Sequence, residues 1–253
     1  MKSEHKRFIK ILLDIAEAML NCGAEIDRVE NTVSRMAKAY GAEKVNVFAI
    51  TSSIVVTLIM PDGVDLTETR RVMGDKATNF TSLEALNNLS REYCAQPFSL
   101  EILEQRFTAS VKPFNNLKYY IGSFIAASSF TVFFGGSLFD SLLAGVFSVV
   151  ICLLSKALPK VSTSNIITKF LCSLIVGIGI CAICRVFPVL HADKIIIGDI
   201  MLLIPGIALT NSIRNLIIGD TVSGLTRFTE SLILAGALAG GFMLSIILLG
   251  GAV

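Results

Sequence analysis

Ile195–Glu230 reads IIIGDIMLLIPGIALTNSIRNLIIGDTVSGLTRFTE, a membrane-type helix interrupted near its middle by Pro205-Gly206. The polar residues Thr210, Asn211 and Ser212 follow directly. Then come Arg214 and a loop, Gly219-Asp220-Thr221-Val222-Ser223-Gly224, ahead of a further helix. Pro205 has no N–H for the carbonyl of Met201, and Gly206 weakens the turn further. Within a bilayer a carbonyl freed in this way must be satisfied by protein, water or a bound solute. The break therefore lines a solute path, or it is a packing kink of the kind Pro and Gly make in membrane helices. The polar residues immediately behind it favour the path.

Composition agrees with a membrane setting. The 253 residues are 53% hydrophobic and contain no Trp, with a mean hydropathy of +0.70. A water-soluble domain is usually roughly 45–50% apolar. Met1–Lys118 holds 15 Lys and Arg and 15 Asp and Glu, which leaves 7 and 5 for the rest of the chain. An ordinarily polar first part thus precedes a charge-poor second part. The net charge of +2, without a basic cluster interleaved with aromatics, gives no reason to expect a nucleic-acid partner. The opening MKSEHKRFIKILLDIAEAML is not read as a signal peptide, because Asp14 and Glu17 interrupt its apolar run. The first part is accordingly expected in the cytosol. The six cysteines form no disulfide or zinc spacing in that part. Cys181-Ala-Ile-Cys184, inside an apolar run, reads as small apolar packing.

Residues 1–112 are expected to form a small cytosolic α+β domain with an antiparallel sheet and about four helices. Apolar stripes predict helices over Glu4–Asn21 and Glu25–Tyr40, stopped by Gly23 and Gly41. Val45–Ile50, Ile54–Met60 and Thr67–Val72 read as strands, with Pro61-Asp62-Gly63 as a turn. Thr81-Ser82-Leu83-Glu84 has the form of a capping box that opens a third helix. Ser99–Ser110 reads as the fourth, ended at Lys112-Pro113. Glu25, Arg28 and Glu30 could grip a small ligand, or they form a solvated helix face with an (i, i+3) ion pair. The two histidines, His5 and His191, lie far apart in the chain. No nucleophile–base set, metal cluster, P-loop or dinucleotide fingerprint is found. The reading is therefore not an enzyme, with no cofactor and no metal.

Residues 113–253 predict five transmembrane helices, at Leu117–Gly136, Leu138–Lys156, Ile166–Phe187, Ile195–Ile218 and Phe228–Ala252. With the first domain inside, Lys112, Lys118, Lys156, Lys160, Lys169, Arg214 and Arg227 flank the inner ends, against Arg185 and Lys194 outside. The C-terminus then lies outside the cytosol. Gly236-Ala237-Leu238-Ala239-Gly240 is a GxxxG step for close helix approach. Asp199 and Glu230 are the candidate proton carriers, or interfacial residues in water. Asp220, Ser223 and Arg227 are the candidate gating residues at the loop. Transporters often pair two bundles, each with a broken helix. No second Pro-Gly interruption is found here, so the other bundle is expected from another chain.

Two stretches carry a family resemblance. The early one is Gly23-Ala24-Glu25, continued by Arg28-Val29-Glu30-Asn31-Thr32-Val33. The late one is Leu203-Ile204-Pro205-Gly206-Ile207-Ala208-Leu209-Thr210-Asn211-Ser212-Ile213-Arg214, continued by Gly219-Asp220-Thr221, Ser223-Gly224, Arg227 and Glu230. Together they resemble the threonine/serine exporter family in its short, split, YjjP-like form. The resemblance implies a cytosolic domain followed by five spans in the bacterial inner membrane, equivalent to the front half of the full-length exporter. It implies a second small membrane subunit, YjjB-like, as partner, and proton-coupled export of threonine and serine or of succinate-type dicarboxylates. Where the family pattern has an acidic residue after Arg214, this chain has Asn215.

The expected function is thus a subunit of a secondary exporter for a small-molecule substrate. Pro205, Gly206, Thr210, Asn211 and Arg214 would hold the solute, and Asp199 or Glu230 the proton. A homo-oligomer is a further possible arrangement. The rival reading is a membrane-anchored metabolite sensor or scaffold, for which five spans and a polar broken helix are excessive.

Overall fold

A computed structural model describes residues 2–72, 79–111, 116–158 and 164–249. The chain divides into two compact units, Met1–Phe114 and Asn115–Val253. In the first, α1 (Lys2–Asn21) and α2 (Ile26–Tyr40) precede β1 (Lys44–Ile50), β2 (Ser53–Ile59) and β3 (Asp65–Arg71). Two helices follow, α3 (Phe80–Ala95) and α4 (Leu100–Ser110). The strands form an antiparallel meander in the order β1-β2-β3, with Val47 opposite Val56 and Thr57 opposite Thr67. Alternation along β2 turns Ile54, Val56 and Leu58 inward, where they join Leu12, Ile15 and Met19 of α1 and Val33 and Met36 of α2.

Gly41 ends α2 in the left-handed region at φ 105°, where a side chain would be strained. The third helix starts differently from the capping box predicted at Thr81. It begins at Phe80, and the Asn79 side chain accepts the Ser82 N–H at 3.1 Å. Asn is as good an N-cap as Thr, and its oxygen reaches the third N–H of the helix. The predicted stop at Lys112-Pro113 lies outside the described residues.

Phe8 has no exposed surface and stacks on Tyr40 with ring centroids 3.8 Å apart. Burial pushes the neighbouring Tyr93 phenol up to about 12. Phe8→Ala should cost about 3–5 kcal/mol. Urea unfolding of the chain, followed by tyrosine near-ultraviolet circular dichroism, checks this through the lost Tyr40 contact.

The second unit contains α5 (Asn116–Phe133), α6 (Leu138–Ala157), α7 (Asn165–Val186), α8 (Ala192–Leu203), α9 (Gly206–Ile217) and α10 (Thr221–Leu249). Of these, α6, α7 and α10 are long and apolar enough to cross a membrane, and α8 with α9 makes a fourth if the bent pair is one crossing. The first of the five predicted crossings, Leu117–Gly136, falls on α5 and is not among them, because Asn116, Lys118, Tyr119 and Tyr120 make the first turns of that helix polar. Large apolar side chains such as Phe133, Leu138, Phe139, Ile217 and Met243 face outward. An exposed apolar surface of that extent fits lipid rather than water. The unit is a multi-pass membrane bundle.

Close approach within the bundle uses small residues. A Cβ at Gly241 would collide with Ser173 Oγ and come within 2.6 Å of the Phe170 carbonyl, so α10 lies almost backbone to backbone on α7. The Gly236 and Gly240 positions of the predicted GxxxG step are not tight. A Cβ would meet nothing within 4 Å at Gly236 and only the Phe170 ring, at 3.6 Å, at Gly240.

Candidate functional site

The predicted break in the fourth apolar stretch is present as a 54° bend between α8 and α9. Pro205 cannot donate, and the Gly206 N–H turns back to the Ile204 carbonyl at 2.8 Å. The carbonyls of Met201 and Leu202 thereby lose the i+4 donors of a continuous helix. Helix α9 restarts when the Leu209 N–H reaches the Pro205 carbonyl at 3.0 Å.

Within α9 the polar residues divide between two faces. Gly206, Thr210 and Arg214, four apart, are exposed, and the Thr210 hydroxyl donates to the Gly206 carbonyl at 3.0 Å. Asn211 is half-buried, while Ser212 and Asn215, three apart, are buried. The Asn215 amide nitrogen is buried without a hydrogen-bond partner, and so is the Ser223 hydroxyl on α10. Orphaned donors of this kind are costly in a packed interior. Sequence reasoning noted Asn215 only as a departure from a pattern. The signal for it was the Ser212–Asn215 spacing on the face away from Thr210 and Arg214.

The expected loop is shorter than predicted. Gly219, at φ 94°, and Asp220 make the turn, and α10 already begins at Thr221. Asp220 Oδ1 accepts the Ser223 N–H at 3.3 Å, as an N-cap does. Ser223, Gly224 and Arg227 are therefore helical. Gly224 permits this because a Cβ there would stand 2.8 Å from Leu216 Cγ of α9. Glu230 is exposed on α10, and Arg227 is half-buried.

The bundle buries two carboxylates completely, with opposite consequences. Asp140 is saturated. Its Oδ2 accepts the Ser137 N–H and hydroxyl, each at 2.8 Å, in a capping box at the start of α6. His191 completes the set, its backbone N–H donating to Oδ1 at 2.8 Å and its Nδ1 lying 3.0 Å from Oδ2. Nothing in the sequence pairs these two residues, which lie 51 positions apart. Asp140→Asn would turn an amide N–H toward these donors, and should cost about 1.5–3 kcal/mol. Thermal unfolding in detergent measures it.

Asp199 is the reverse case, since neither carboxyl oxygen has a hydrogen-bond partner. It lies on α8, six residues before Pro205, or about 9 Å at the rise of an α-helix. Its neighbour Gly198 presses α8 onto α5, so that a Cβ would collide with Thr131 Oγ1 and come within 2.9 Å of the Ala127 carbonyl. A buried carboxyl left without partners is a functional candidate wherever it occurs in a membrane bundle.

In the first unit the Glu25, Arg28 and Glu30 cluster is partly committed to structure. Glu25 is the N-cap residue of α2, and Glu30 Oε1 accepts the Ala49 N–H of β1 at 2.8 Å. Arg28 is exposed. His5 lies between the Tyr40 hydroxyl, 3.0 Å from Nδ1, and Asp62, 3.4 Å from Nε2, which ties α1 to the end of α2 and the β2–β3 turn. All six cysteines are free. Among the described residues no group of three or more His, Cys, Asp or Glu could hold a metal ion.

Comparison with known proteins covers nearly all of this architecture. The family described as "Putative threonine/serine exporter" matches residues 10–249. A "Probable threonine/serine exporter" of Mycobacterium tuberculosis is 21% identical over 248 residues, which are 95% of this chain and 46% of that protein. The chain thus spans about half the length of that relative. A "Probable succinate transporter subunit YjjP" of Klebsiella aerogenes is 22% identical over 253 residues, 98% of this chain and 96% of that protein. No solved structure matches. Because the family match runs through the α/β unit, the broken helix and α10 alike, the chain belongs to the threonine/serine exporter family.

Proposed function

We propose that the chain is a subunit of a proton-coupled secondary exporter for small hydrophilic metabolites, threonine and serine or succinate-type dicarboxylates. The observation that carries this reading is a broken membrane helix with an unpartnered buried carboxyl one and a half turns ahead of the break. Residues 1–112 form the cytosolic domain, and residues 113–253 cross the inner membrane five times. Helix α5 supplies the fifth crossing, since its 18 residues span about 27 Å against a hydrocarbon core of roughly 30 Å. The distribution of Lys and Arg sets the first domain and the Lys156 end inside and the C-terminus outside.

A second, YjjB-like membrane subunit completes the transporter. The relative named as a transporter subunit has nearly the length of this chain, whereas the Mycobacterium tuberculosis exporter is about twice as long. Asn211 and the carbonyls of the break offer hydrogen bonds to the solute, and Arg214 meets its carboxylate. Asp199 carries the proton.

Efflux of labelled threonine, serine and succinate from vesicles containing both subunits tests the reading. Efflux that is absent for all three, with or without a pH gradient, counts against it. Arg214→Ala should weaken transport of a carboxylate substrate by roughly 10- to 100-fold, the loss of about 1.5–3 kcal/mol in a charge-assisted hydrogen bond. Asn211→Ala should lower efflux by a smaller factor without changing membrane abundance, which immunoblotting of the same vesicles verifies.

A further inference from the structure

Close contacts divide the helices of the membrane unit into two sets. In the first, α8 grips α5 at Gly198, where a Cβ would strike Thr131 Oγ1 and the Ala127 carbonyl. Helix α6 grips the same α5 at Gly145, where a Cβ would stand 2.6 Å from the Phe124 ring. Ser128 of α5 and Ser141 of α6 each donate to the other's carbonyl, at 2.9 and 3.1 Å. The Cys152 thiol of α6 donates to the Ser123 hydroxyl of α5 at 3.2 Å. Asp140 of α6 holds His191, the N-cap residue of α8.

In the second set α7 and α10 interlock twice. A Cβ at Gly241 of α10 would strike Ser173 Oγ and the Phe170 carbonyl, and one at Gly177 of α7 would strike Ser245 Oγ. Helix α9 rests on α10, for a Cβ at Gly224 would stand 2.9 Å from the Leu216 backbone nitrogen.

Between the sets, where α7 meets α6 and α8, the contact is of another kind. Among the described residues Gly179 is the one tight glycine there, and its Cβ would meet only the tip of the Phe147 side chain, at 2.8 Å. The Cys172 thiol of α7 reaches the Ile151 carbonyl of α6 at 3.9 Å, a weak bond from a weak donor. The filling is apolar, with Phe147 and Ile151 of α6, Val176 and Ile180 of α7, and Ile196 and Leu203 of α8 in one cluster. Interlocked backbones must separate before they move, whereas apolar side-chain faces can slide and repack. One passage of the chain from set to set is the break itself. There the Ile204 N–H still closes onto Ile200 of α8, and the Leu209 N–H already closes onto Pro205. Asp199 is turned about 100° from Gly198, away from the α5 contact, on the face of Ile196 and Leu203. It has no exposed surface, so water must come to it through the apolar cluster.

We propose that the membrane unit moves as two three-helix bodies, one of α5, α6 and α8 and the other of α7, α9 and α10. They part along the boundary of α6 and α8 with α7 by bending at the Pro205 break, and the parting admits water to Asp199. This deepens the transporter reading and rests on it.

Chemical labelling of the full chain in lipid tests the motion without any solute. A water-soluble carbodiimide with glycinamide marks carboxyls that meet water, and peptide mass spectrometry reads the mark at Asp199, with the exposed Glu230 as reference. Ile151→Cys brings a second thiol beside native Cys172, and a short bifunctional thiol reagent then ties α6 to α7. Phe147→Cys with Gly179→Cys is a second tie across the boundary, and Ser128→Cys with Ser141→Cys is a tie inside the first body. Each variant is compared with its own reduced form, so that an effect of the substitution on folding cancels. Wild-type protein given the same reagent is the baseline for the native thiols. Both boundary ties should slow labelling of Asp199 by about tenfold or more, because the sparsely populated open state is removed. The inner tie should leave the labelling rate unchanged. Labelling that ignores the boundary ties overturns the two-body motion, as does equal slowing by the inner tie. An untied protein in which Glu230 reacts and Asp199 never does overturns it as well. Labelling governed by the boundary ties, in a protein that exports none of the tested solutes, strikes the transport reading alone.

Discussion

Asp199→Asn should abolish export driven by a pH gradient, by about 100-fold or more, while leaving the protein as stable as before. The substitution preserves shape and removes the carboxyl hydrogen. An essential buried residue usually loses stability when changed, because its partners are left unpaired. Asp199 has no hydrogen-bond partner to abandon. Its burial is itself a cost, which an uncharged amide lowers. Gradient-driven uptake of labelled succinate or threonine into inverted vesicles, beside thermal unfolding of the same preparation, separates the two effects. A variant that transports with a wild-type dependence on the gradient would remove Asp199 from the mechanism. Asp140→Asn is the comparison, since there the expected loss falls on stability and not on coupling.

The second large effect is expected at Gly198→Val, where α8 crosses α5. Three added carbons must enter a space in which the first would already touch Thr131 Oγ1 and the Ala127 carbonyl. A flexible side chain can turn aside, but a backbone carbonyl can move only with its helix. The cost should reach about 3 kcal/mol or more, the upper range for overpacking. Detergent-solubilised protein should then elute as aggregate or unfold at a clearly lower temperature. Gly206→Ala is the matched control, because a Cβ at Gly206 meets nothing within 4 Å. A Gly198→Val protein that runs as a folded species with unchanged unfolding temperature would show that the crossing is looser than described.

These paired substitutions mark how far the sequence could be read. Local rules identified the interruption at Pro205, because a missing N–H is a property of one residue. They also located Gly41 as a helix stop and the three strands of the meander, each set by its own backbone preference or by strict alternation. Between Gly198 and Gly206, by contrast, the sequence singled out the glycine beside proline, and the packing singles out the other. Membrane helices make such errors natural. With apolar residues all round, as in α7, the pattern does not say which face meets lipid and which meets protein.

The sequence by itself determined the division into a polar and an apolar part, the helices and strands of the first, the break in the second and the family likeness. All of these depend on residues close together in the chain or on bulk composition. Tertiary structure alone decided which polar groups are inward. It turned Ser212 and Asn215 to the interior and Thr210 and Arg214 outward, closed Asp140 onto His191 across 51 positions, and tied Glu30 to Ala49. It also left Asp199 buried without a partner. A donor's worth depends on what stands opposite it, and in a bundle that neighbour comes from another helix, at a distance the order of residues does not encode.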